Sequence, residues 1–404
     1  MGSAPPDNDI SQSAEPVESN MLQRMARGVI ARAASWLLDP PLPLVAVVFG
    51  LIVLLKTGWN TYVCLDQELM IAKALPGAPT LDFSYQFLRW SLAGPILARL
   101  LGAVTPRAFL ALHAAVLVLS VVTILAITAY RRGNRAARFV LLALACSSSV
   151  TVMLRWLGSY DVFTFLASSL LVLSSGWEEV FVLSGALGFL HFEQGVFIAL
   201  ALLIVGPKRS LGRWRQAGLM LGGLLVGKVL ITAYLASTGM DAFSRLYFVT
   251  HDEPLSAFVG SAMTYLPALL YTMFGAGWVW LGVLALRVGR DWGQTRRGML
   301  ALALLVIPTI VTLDETRVYT MMAWPVLMTL ALVAERRAEE DDLRLLAGAG
   351  LLGFIVLPAG FVTFEGEFFP ALTDSVGRMM TGAVLAAFGV LLVWARSRPR
   401  IRRS

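Results

Sequence analysis

The sequence predicts an all-α protein, a polytopic membrane helical bundle. Three observations predict it. Hydrophobic residues make up 57% of the 404 residues and charged residues only 15%, against about half and about a quarter in soluble domains. Mean hydropathy is +0.72. The apolar residues run in blocks of roughly 15 to 25 between short basic loops, and a helix satisfies its own backbone groups in lipid. The alternation that a β-barrel needs is not visible. The formal net charge is +7, yet its placement argues against nucleic acid as a partner. The basic residues sit in short loops and at the C-terminus, where they orient a chain in a bilayer.

Residues 1–20 are polar and acidic, carry Pro5-Pro6, and read as a disordered cytoplasmic tail. Residues 21–38 place Leu22, Met25, Val29, Ala33, Trp36 and Leu37 on one side and Arg24, Arg27 and Arg32 elsewhere, the pattern of an amphipathic interfacial helix. The first long apolar run starts late and lacks an A-x-A-like exit, so no cleavable signal peptide is expected. Residues 39–395 read as one transmembrane domain with about twelve spans of typical length: 42–57, 108–130, 138–154, 161–175, 179–191, 194–206, 216–237, 256–286, 298–313, 318–334, 345–364 and 377–395. Those within 161–206 are short and read as tilted, broken or re-entrant. Residues 396–404 form a basic cytoplasmic tail.

The positive-inside rule orients these segments. Arg24 to Arg32, Arg131 to Arg138, Lys208 to Arg215, Arg287 to Arg297, Arg336 to Arg344 and Arg396 to Arg403 fall on one side, which places both termini in the cytoplasm. Lys228 lies inside an apolar segment and needs a cavity, a partner or the interface. The other side collects acids and histidines at the ends of apolar runs. No nucleotide-binding loop or Rossmann glycine fingerprint is present. Cys64 and Cys146 lie too far apart in this topology for a disulfide, and no metal-type Cys/His spacing occurs.

Four constellations carry chemistry. Asp66-Gln67-Glu68 opens the first outer loop, 58–107, where 61–76 and 84–104 read as two juxtamembrane helices forming a platform. One carboxylate there can deprotonate a hydroxyl nucleophile, and the other can orient it or hold a divalent cation. The alternative is a solvated turn. Asp314-Glu315-Thr316-Arg317-Val318-Tyr319 begins a late span, where Arg317 can grip a phosphate; the alternative is a helix start with a local ion pair. His191-Phe192-Glu193-Gln194 interrupts two short apolar runs and reads as a hydrated contact site for substrate or metal, or as a polar turn. Arg155 and Asp161 flank a similar break. His251-Asp252-Glu253, Glu365 and Glu367 read as ordinary loop residues, and His113 as a packed core histidine.

This layout, with one span, a large first outer loop carrying an acidic motif and two juxtamembrane helices, then further spans, resembles the GT-C superfamily of polyprenyl-phosphate-sugar glycosyltransferases. The resemblance implies that Asp66 is the catalytic base, with Glu68 as second acid of a D-x-E variant. Asp314-x-x-Arg317 resembles a late-loop motif of some bacterial lipid-linked glucosyltransferases. It implies donor-phosphate binding by Arg317 with Arg155, and substrate or acceptor contacts from Glu68, Asp161, His191, Glu193, Asp314, Glu315 and Tyr319. Glu68 and Glu193 are the candidates for holding Mg²⁺ or Mn²⁺. The implied reaction is inverting transfer of a sugar to a glycan, lipid or protein acceptor at the outer face of a bacterial inner membrane. The chain lacks the soluble C-terminal domain of larger members, and its motif is not Asp-x-Asp. A polymerase or ligase of lipid-linked glycans, or a transporter or lipid flippase, are the other readings.

Overall fold

The computed structural model describes residues 17–77, 88–206, 212–239, 255–288, 293–310, 312, 314–363 and 366–368. The expected span 377–395, the tail 396–404, most of the N-terminal tail, His251 to Glu253, Leu313 and Glu365 lie outside the described residues. The described chain is helical apart from one two-stranded ribbon.

The helices run in order: α1 (Val17–Leu38), α2 (Leu42–Thr57), α3 (Leu65–Ala74), α4 (Ala93–Leu100), α5 (Pro106–Arg132), α6 (Asn134–Cys146), α7 (Ser149–Arg155), α8 (Asp161–Leu173), α9 (Trp177–Val205), α10 (Arg213–Ser237), α11 (Leu255–Thr264), α12 (Leu266–Phe274), α13 (Gly277–Val283), α14 (Gly293–Leu304), α15 (Val306–Thr309), α16 (Glu315–Arg337) and α17 (Glu340–Val356). The ribbon pairs β1 (Phe361–Thr363) with β2 (Gly366–Phe368). Among the described residues, 4 helices are long and apolar enough to cross a membrane (α5, α9, α10 and α16), or up to 7 if each bent pair is one span.

α16 is the central helix. Of the four it is the most enclosed, and Trp324 at its middle is fully buried, donating to Ser169 Oγ of α8 at 2.7 Å. Truncating such a side chain typically costs about 3–5 kcal/mol. α6 and α7 form one expected segment bent by 56°. The bend falls at Ser147 and Ser148, whose hydroxyls donate to backbone carbonyls of Leu144 and Thr272.

α9 corrects the simplest reading of its length. His191 sits inside it with φ −162° and ψ 84°, which breaks the helical ladder. A Cβ built on Gly195 would lie 3.4 Å from Leu187 Cβ, although eight helical residues span about 12 Å along a straight axis. The helix therefore folds back as a V. Each arm has about 14 residues and reaches about 21 Å, short of the roughly 30 Å hydrocarbon layer. Both ends of the V line one cavity, through Ser175 and Gly206. The two expected short segments, 179–191 and 194–206, are these arms. The V is clasped by α10: a Cβ on Gly188 would lie 2.2 Å from the Leu224 carbonyl oxygen, and one on Gly227 2.0 Å from that of Gly185. No side chain larger than hydrogen permits that approach.

α1 differs from a helix lying only on lipid. Met25, Val29 and Trp36 are exposed, but Ala34 and Leu37 are buried and Gly348 of α17 packs on the Ile30 backbone. Arg138 ties down its end by donating to the Leu37 carbonyl at 2.6 Å. Of the expected platform, α3 lies within 61–76 and α4 within 84–104; residues 78–87 are outside the described set.

Candidate functional site

The site forms where two chain breaks are stitched together. After α2, residues 60–62 run beside the end of α7. Asn60 N–H donates to the Leu154 carbonyl at 3.0 Å, Leu157 N–H to Asn60 at 3.0 Å, and Tyr62 N–H to Leu157 at 2.9 Å. This short parallel bridge sets Tyr62 beside Trp156, with ring centroids 5.8 Å apart. Gly158, at φ 103°, then turns the chain in a conformation that side chains disfavour. Ser159 and Tyr160 follow, and α8 begins at Asp161.

Arg317, in the first turn of α16, reaches into this corner. Its Nε donates to Asp161 Oδ2 at 2.6 Å and its Nη1 to Asp314 Oδ2 at 3.0 Å. Ser159 Oγ also donates to Asp161 Oδ2, at 2.9 Å. The guanidinium carbon lies 4.7 Å from the Tyr160 ring, 4.9 Å from Trp156 and 5.8 Å from Tyr62. Arg317 is 6% exposed and Asp161 0%. A buried charge needs this pairing, because an isolated one is costly to desolvate. Among the described residues, Arg317 Nη2 is buried and has no hydrogen-bond partner, which leaves one donor of the fork unused. Arg155 and Arg317 line one narrow cleft with Trp156 and Phe361. The ribbon closes it: Val362 N–H donates to Thr316 Oγ1 at 2.9 Å, and Phe361 meets Trp156 edge-on at 6.1 Å.

A second cluster continues from Tyr160. Its ring lies 5.8 Å from that of His191 at the apex of α9. His191 Nδ1 is 3.5 Å from Glu193 Oε2. Lys228 answers the demand of its apolar surroundings by pairing with Glu193 at 3.8 Å and sitting 3.4 Å from the centroid of Trp90. The V of α9 is what carries His191 and Glu193 to the level of Lys228.

The carboxylates of the first loop separate. Both lie in the first turn of α3, but residues two apart on a helix point to nearly opposite sides. Asp66 is exposed, whereas Glu68 is 1% exposed. Glu68 acts electrostatically on Tyr62 and Cys64, which also feel Arg317. Burial holds the Tyr62 phenol well above its ordinary range, against the opposing pull of Arg317. Tyr62 is therefore a neutral hydroxyl in the working pH range. Burial likewise raises the Cys64 thiol.

The structure thus gathers Arg317, Asp161, Asp314 and Arg155, and links them through Tyr160 to His191 and Glu193. It does not bring Tyr319 to them. Two residues along α16, Tyr319 points elsewhere, is fully buried, donates to the Leu302 carbonyl at 2.9 Å and lines a separate apolar cavity of about 450 Å³ with Phe274, Trp278 and Met299. Glu315, one turn before Tyr319, is fully buried. Among the described residues, no three His, Cys, Asp or Glu side chains gather to hold a metal, and Glu193 is engaged by Lys228. His113 is a packed residue, as expected, with Nδ1 2.9 Å from the Phe109 carbonyl oxygen. The aromatic box of Tyr62, Trp156 and Tyr160 was missed in the sequence; the run Trp156-Leu157-Gly158-Ser159-Tyr160-Asp161 between apolar segments was the signal. Comparison with protein-family models, curated proteins and solved structures finds no match, so the site stands on its own geometry.

Proposed function

We propose that this chain is an integral-membrane glycosyltransferase that moves a sugar from a polyprenyl-phosphate donor to a hydroxyl acceptor. The observation that carries the reading is the buried Arg317, fixed by Asp161 and Asp314 inside an aromatic box, with Nη2 left over and Arg155 on the same cleft. A guanidinium oriented by two carboxylates suits a phosphate whose negative charge grows as it departs. Aromatic faces suit a sugar ring. The apolar cavity beside Tyr319 would take part of the polyprenyl chain.

In the proposed step the acceptor oxygen attacks the anomeric carbon. Its proton passes to a carboxylate, the carbon–phosphate-oxygen bond breaks, and the polyprenyl phosphate leaves toward Arg317, inverting the centre. Glu68 takes precedence over Asp66 as that carboxylate, because Glu68 is buried and acts electrostatically on Tyr62, whereas Asp66 is exposed. No step requires a divalent cation. Twelve spans, cytoplasmic termini and a site at the outer face of a bacterial inner membrane belong to this proposal.

The test is transfer from a short-chain polyprenyl-phosphate sugar by purified protein. Arg317→Lys should lower kcat by about 10² or more, since a lysine cannot reproduce the fork. Glu68→Gln should do the same, and Asp66→Asn should stay within a few-fold of wild type. Full activity in Arg317→Lys would refute the reading. The bent helix pairs favour a second reading as a lipid flippase. Movement of a labelled lipid across vesicles without product formation would select it.

A further inference from the structure

A further cavity lies at the other end of α16. About 19 residues separate Arg317 from Arg336, hence about 29 Å of helix. This cavity has a volume of about 670 Å³ and is lined by the last turns of α5 and α16, the end of α8 and both ends of the V of α9. Arg131 and Arg132 enter it from α5, Arg336 and Arg337 from α16. The Arg297 guanidinium packs on Gly206, another wall. Arg131 pairs with Glu179 at 3.1 Å. Among the described residues, Arg132, Arg336 and Arg337 have no carboxylate partner within ion-pair distance. Beyond the arginines the wall turns apolar, with Leu171, Leu202 and Leu332.

We propose that this cavity holds the phosphate-bearing headgroup of an anionic membrane lipid, with the upper part of one acyl chain on the apolar wall. Arginines at helix C-termini favour the helix dipole and snorkel toward water. That accounts for each pair, but it does not account for a space this size between the two helix ends. The space is equivalent to roughly twenty waters at about 30 Å³ each. A basic rim over an apolar floor matches an amphiphile with an anionic head, and basic pockets between membrane helices take such heads. The V shape of α9 creates the room, since both its ends return to this level.

The experiment follows thermal unfolding of the full chain in neutral detergent on titration with phosphatidylglycerol, phosphatidylcholine or inorganic phosphate. Phosphatidylglycerol should raise the midpoint and phosphatidylcholine should not. The double variant Arg336→Gln/Arg337→Gln should weaken the phosphatidylglycerol effect by about 30-fold, from roughly one charge contact per arginine. Val333→Trp, which fills the cavity and keeps every charge, should also abolish it. Arg215→Ala, outside the cavity, should leave it intact. Unliganded midpoints of the variants show that they fold. Equal effects of the two lipids, an unaffected double variant, or an unaffected Val333→Trp would each overturn the proposal. So would a shift that inorganic phosphate reproduces in full, which would assign the cavity to a soluble phosphate compound.

Discussion

Arg317 and Asp161 illustrate how a buried charge pair is both a tool and a debt. Removing either partner of such a pair costs about 3–5 kcal/mol, because the other is left charged and dry. That is why Arg317→Lys is a sharper probe than Arg317→Ala. Tyr62 makes a pH prediction. Its phenol is held above its ordinary value, chiefly by burial. A group whose folded value is raised contributes its stability in full below the unfolded value, about 10 for tyrosine, and loses it as pH rises beyond. Thermal stability should therefore fall from about pH 10 upward, and Tyr62→Phe should fall less steeply; parallel curves would show that Tyr62 is not responsible. At this scale the sequence was partly legible. Asp161, Asp314 and Arg317 stood out as charges at the ends of apolar runs. What sequence spacing did not reveal was partnership: Asp161 and Arg317 are 156 residues apart. The sequence reading puts Asp66 first, as the base, and Glu68 second, and only the orientation of α3 tells the exposed from the buried acid.

At the scale of elements, most apolar segments became helices near their expected ends, since hydropathy alone sets them. The break at His191 was legible because polar residues interrupted an apolar run. The sharpness of the fold was not, because it depends on glycines whose contacts lie on another helix. This gives a test. Gly188→Ala places a methyl group 2.2 Å from a backbone oxygen and should destabilise by about 1–3 kcal/mol or more. Gly218→Ala, with nothing within 4 Å, should be neutral or slightly stabilising, because alanine favours helix. Thermal unfolding of the two variants side by side decides it.

Across the whole molecule, basic segments far apart in sequence converge at one end of the bundle. Arg131, Arg135 and Arg336 lie there, with Arg135 donating to Glu340 at 2.7 Å. The Arg317 cluster occupies the other end. Asn60 and Asn134 mark these ends and are both exposed, while Cys64 and Cys146 are buried and give little background. Cysteines introduced at Asn60 and Asn134 should react with an impermeant maleimide from opposite sides of sealed vesicles. Labelling from the same side would overturn the orientation. The V of α9 has a further consequence, for biogenesis. Its arms are too short to be released into lipid as ordinary spans, and the surface that seats them belongs to α10, which the ribosome makes afterwards. The close glycine packing of α9 can therefore be completed only once α10 has been made.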